Sequence, residues 1–204
     1  MELHEALAQI TEIRVQMART EVFRGYRAVP VLWSGLLALG AAGLQAAWIP
    51  DPAHELVRYL VLWVSVAVLS VLAAAAGMVL RSRHLASPLK RELTWLAVEQ
   101  FLPCVVAGGL VAYVLVRCAP ESAWLLPGLW QILFSLGVFA SYRLLPRATF
   151  WVAVYYLLAG VVSLAVARNE WSLAPWAMGL PFGVGQLLAG AVLYWTLERN
   201  HGTA

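Results

Sequence analysis

The chain has 204 residues, 62% of them apolar and 12% charged, with 14 Lys and Arg against 11 Asp and Glu for a net charge of +3. Soluble domains carry about 45–50% apolar and about 25% charged residues, so this composition excludes an ordinary water-soluble fold. The basic residues lie between apolar runs and not in one block, a pattern that sets membrane orientation and gives no reason to expect nucleic acid as a partner.

Residues 1–27 come first and are too polar to cross a bilayer. Leu3, Ala6, Leu7, Ile10, Ile13 and Met17 recur at three- and four-residue spacing, which predicts an amphipathic helix with one apolar stripe. Its acids come early (Glu2, Glu5, Glu12) and its arginines late (Arg14, Arg19, Arg24, Arg27), as a helix dipole favours. Leu3, Leu7, Ile10, Arg14 and Arg19 are its candidate contacts, either with anionic lipid at the membrane surface or with a cytoplasmic partner protein. The segment lacks the basic, apolar and small-residue succession of a secretory signal, so none is expected.

Six apolar runs follow, each near the roughly 20 residues that a helix needs to cross a bilayer. They are 28–48, 57–80, 95–116, 123–142, 148–167 and 173–197, separated by Pro50 and Pro52, Pro88, Pro120 and Pro146. The expectation is an all-α integral membrane protein: residues 1–27 as a cytoplasmic helix, 28–199 as a six-helix bundle, and 200–204 as a short tail. Eleven Lys and Arg (14, 19, 24, 27, 81, 83, 90, 91, 143, 147, 199) fall on the side of the termini and three (58, 117, 168) on the other. Positive-inside bias then places both termini in the cytoplasm of a bacterial inner membrane, and Trp48, Trp124, Trp171 and Trp176 fit an outer aromatic belt.

Span one aligns with span four without a gap, "PVLWSGLLALG" (30–40) on "PGLWQILFSLG" (127–137), sharing Pro, Trp and Gly at one constant offset. Spans three and six align at "LPCVVAGGL" (102–110) and "LPFGVGQLL" (180–188). Three helices per unit invert the second copy, which predicts a 3+3 inverted-topology repeat with helix interruptions at Pro103 and Pro181.

The polar residues inside the spans are few. Pro103 has no N–H for the carbonyl four residues back, so Glu99 offers both a free backbone acceptor and a carboxyl group. A carboxylate at depth costs about 2.5–3.5 kcal/mol on the insertion scale, which makes Glu99 a functional candidate unless it sits near the interface and reaches back to it. Gln100, Gln131, Ser135 and Gln186 join it as candidate ligand-binding residues for a small solute, ion or proton. The same amides and hydroxyls also serve as interhelical hydrogen-bond donors. Gly179-xxx-Gly183 has the small-residue spacing of close helix packing, which admits a homo-oligomer without requiring one.

No cofactor and no metal are expected. The four histidines lie outside the spans, Cys104 and Cys118 have no metal-ligand spacing, and GxSxG, HExxH and P-loop patterns are absent, so an enzyme is not expected either. The leading expectation is a permease-like bundle with a polar pocket between two three-helix halves. The alternative is a non-transporting sensor, regulatory or assembly subunit that acts through its N-terminal helix.

Overall fold

The computed structural model describes residues 28–82, 88–142, 145–166 and 171–198, with the backbone alone over 78–82, 88–98 and 197–198. The N-terminal helix, with Leu3, Leu7, Ile10, Arg14 and Arg19, lies outside the described residues, as does the 200–204 tail. Every regular element among the described residues is helical: α1 (Ala28–Trp48), α2 (Leu56–Ser82), α3 (Pro88–Cys118), a 3-10 turn (Pro120–Leu125), α4 (Leu126–Ser141), α5 (Thr149–Val166), α6 (Pro175–Leu193) and a terminal π-helical turn (Tyr194–Glu198). Proline sits in the first turn of α4 and of α6, where its missing N–H leaves no helical bond unmade.

All six helices contain a stretch long and apolar enough to cross a bilayer: Ala28–Trp48, Leu56–Gly77, Glu99–Cys118, Pro120–Ser141, Thr149–Val166 and Pro175–Thr196. These are the attributes of a multi-pass membrane protein, and the limits follow the hydropathy reading within a few residues. α3 begins at Pro88, ahead of its apolar run, and its first turns hold Lys90, Arg91 and Glu92.

α1 packs most broadly on α6, and α4 on α5 and then α3; α2 leans on α1, while among the described residues α2 and α3 barely touch. The core is therefore the row α1, α6, α5, α4, with α2 and α3 attached at its two flanks. Val57, Val61, Val64, Val68 and Leu72 of α2 and Leu102, Val106, Leu110 and Val114 of α3 are exposed, as lipid-facing side chains would be.

Glycine seams set the close approaches. On α6, Gly179, Gly183 and Gly190 receive Ala42, Leu39 and Leu32 of α1, so the spacing noted at 179 and 183 is used for helix contact within the chain. Where α4 crosses α5, a Cβ on Gly128 would lie 2.9 Å from the Gly160 carbonyl oxygen, and one on Gly160 would lie 2.8 Å from that of Gly128.

The helix pairing resembles that of two related halves, since α1 touches α2 and α6 as α4 touches α5 and α3. The matched side chains do not follow it. Trp130 donates to the Gly108 carbonyl (3.0 Å) and Gly137 lies against Phe101 and Cys104, whereas Trp33 is exposed and a Cβ on Gly40 would meet nothing.

Between α1 and α2, the Asp51 carboxylate accepts from the His54 backbone N–H (3.3 Å) and pairs with its Nδ1 (2.8 Å). The His54 side-chain contact holds the Asp51 carboxyl below the usual carboxylate range. That support is present above the ordinary carboxylate pKa and is lost as pH falls through the lowered one; for so exposed a pair it is small.

Candidate functional site

The buried polar groups of the bundle fall into three levels. Nearest the 49–55 end, Gln45 is fully buried on α1. Its Nε2 donates to the Leu173 carbonyl just before α6 (2.7 Å), and its Oε1 accepts from Trp63 Nε1 on α2 (2.8 Å). One amide thereby joins three segments of the chain, and both of its ends are satisfied in an apolar surround.

The second level centres on Pro181. Lacking an N–H, Pro181 leaves the Ala177 carbonyl without its helical donor. Gln131 of α4, also fully buried, supplies one: its Nε2 lies 2.8 Å from the Ala177 oxygen, and its Oε1 accepts from Ser163 of α5 at 3.3 Å. Tyr155 and Tyr156 of α5 reach the next carbonyls, Pro181 O at 3.3 Å and Phe182 O at 3.4 Å. The helix runs on through Pro181, and the carbonyls around the missing donor are braced from two neighbouring helices. Ser135, one turn from Gln131, donates to the Ala153 carbonyl on α5 at 2.8 Å.

The middle of the bundle is aromatic. Phe134 packs on Phe101 (centroids 5.3 Å), Tyr156 (4.7 Å) and Phe182 (5.6 Å), which come from α3, α5 and α6. Gln186 is half-buried, packs on Gly35 of α1 and is a polar neighbour of the Tyr156 hydroxyl.

The third level, toward the 142–149 end, holds the remaining candidates. Glu99 is exposed on α3, and Pro103 is exposed one turn along. Gln100 is half-buried; its Oε1 is buried with no partner among the described residues, and so is the Oγ of Ser141 at the end of α4.

The candidates are therefore divided. Gln131, Ser135 and Gln186 line the middle with an aromatic filling between helices, and Glu99 and Gln100 stand near one end. Gln45, Ser163 and Trp63 were not among the sequence candidates; the one signal for Gln45 is a lone amide within an apolar run. Among the described residues no group of three or more His, Cys, Asp or Glu side chains could hold a metal ion.

A six-helix, multi-pass membrane protein is the class that these observations define. No protein-family model, curated protein or solved structure matches the chain.

Proposed function

We propose that the chain is a bacterial inner-membrane protein with both termini in the cytoplasm, and that it serves as a non-transporting sensor, regulatory or assembly subunit whose partner meets the N-terminal segment 1–27. The observation that carries this reading is the use of the buried amides: Gln45 and Gln131 each join three segments through two hydrogen bonds. An interior knitted at two levels and filled with aromatic rings beyond them favours a fixed scaffold over a solute path. The distribution of Lys and Arg supports the orientation.

A second reading, the permease, draws on the internal prolines Pro103 and Pro181 and on the paired layout of the two halves as an inverted repeat, with Glu99, Gln100 and Gln186 beside the path of a small solute, ion or proton. Water access separates the two. With Cys104 and Cys118 changed to alanine, Glu99→Cys is expected to react with an impermeant thiol reagent from one side only, and Ser135→Cys from neither. Reaction of Ser135→Cys from each side in turn, together with solute uptake that Glu99→Gln abolishes, would replace the subunit reading by the permease.

A further inference from the structure

Gln100 and Ser141 belong to different helices but occupy one level. Gly137 of α4 lies against Phe101 and Cys104 of α3, with the Cys104 Cβ 3.3 Å from where a Gly137 Cβ would sit. The two helices follow one another across the short turn at 120–125 and run in opposite directions. One turn from this contact toward the 142–149 end, Cys104 is succeeded by Gln100 and Gly137 by Ser141. Ser141 is only 2% exposed, and it lies seven residues from Phe134, on the side of α4 that carries the aromatic cluster. Both side chains carry a buried oxygen without a partner among the described residues, and a buried polar group left without a partner is costly. Pro103 adds a third acceptor nearby, since it deprives the Glu99 carbonyl of its helical donor.

We infer that Gln100 and Ser141 form a binding site for a small N–H or O–H donor, of the size of water or ammonium, held beneath the aromatic cluster at the α3–α4 seam. The chemistry selects the guest. An amide oxygen only accepts, a hydroxyl both gives and accepts, and a guest between them must therefore donate at least one hydrogen bond. A cluster of two or three such partners is what one buried water or one ammonium group requires. The site stands independently of whether the protein transports anything.

Thermal unfolding of the full chain in lipid nanodiscs tests it. Ser141→Ala and Gln100→Leu are each expected to lower the midpoint by about 2–4 °C, since each removes a bonded partner of the guest. The double variant is expected to lose no more than the larger single loss, because one guest serves both side chains. Unchanged or raised midpoints in the single variants, or additive losses in the double, would overturn the site. Water absorption bands sensitive to Ser141→Ala in difference infrared spectra give a second readout should a variant fold poorly. Repeating the melts with ammonium chloride against sodium chloride distinguishes the sources. A rise in the unaltered protein that both variants lack marks an ammonium-type guest, and equal melts in the two salts mark water.

Discussion

Gln131→Leu is expected to destabilise the protein by about 2 kcal/mol, and Pro181→Ala is expected to remove most of that cost. Interhelical hydrogen bonds in membranes average only about 0.6 kcal/mol, because a released group usually finds another partner. The Ala177 carbonyl has no such alternative. Its helical donor is the N–H that Pro181 lacks, so losing the Gln131 amide leaves it unpaired, and Ser163 loses its acceptor at the same time. With alanine at 181 the helix supplies its own donor, and Gln131→Leu then costs less than about 1 kcal/mol. The check is a double-mutant cycle on unfolding free energy in lipid or detergent, with a coupling of at least about 1 kcal/mol expected between the two positions. Additivity of the two changes would mean that Gln131 does not serve the break in α6.

The second large effect lies where α4 crosses α5. A valine at Gly160 places its Cβ 2.8 Å from the Gly128 oxygen and 3.0 Å from the Ile132 backbone nitrogen, and backbone cannot turn aside as a side chain can. Gly160→Val is expected to cost about 3 kcal/mol or to prevent assembly of the bundle, the upper end for overpacking. Gly40→Ala and Gly109→Ala are the controls. A Cβ at either meets nothing within 4 Å, so the gain in helix propensity, up to about 1 kcal/mol, is the only change expected. Unfolding measured by steric trapping or by chemical denaturation in mixed micelles would show the difference. Equal behaviour at positions 160 and 40 would contradict the close crossing.

Hydropathy alone defined the six spans, because the requirement for about 20 apolar residues is a one-dimensional property of the chain. The order of residues also marks Pro103 and Pro181, which lie inside continuous helices and each remove one backbone donor. The third helix is longer than its apolar run: it extends from Pro88 to Cys118, so the polar residues ahead of position 95 continue the same helix.

What the amino-acid order did not disclose is which polar residue answers which unsatisfied group. Gln45 and Leu173 are 128 positions apart, Gln131 and Ala177 are 46 apart, and no local periodicity links either pair. Gln131 and Ser135 were recognisable as neighbours on one helix face, but whether that face met a pocket or two more helices depended on how α4, α5 and α6 dock. Their docking rests on contacts such as Gly128 against Gly160 and Gly185 against Tyr156, which match shapes across helices distant in the chain. The sequence by itself determined the number and rough placement of the six membrane-length apolar stretches, because these follow from the chain's interaction with lipid. The tertiary structure alone decided the use of the buried amides, because a hydrogen bond between helices exists only once their relative rotation and depth are fixed.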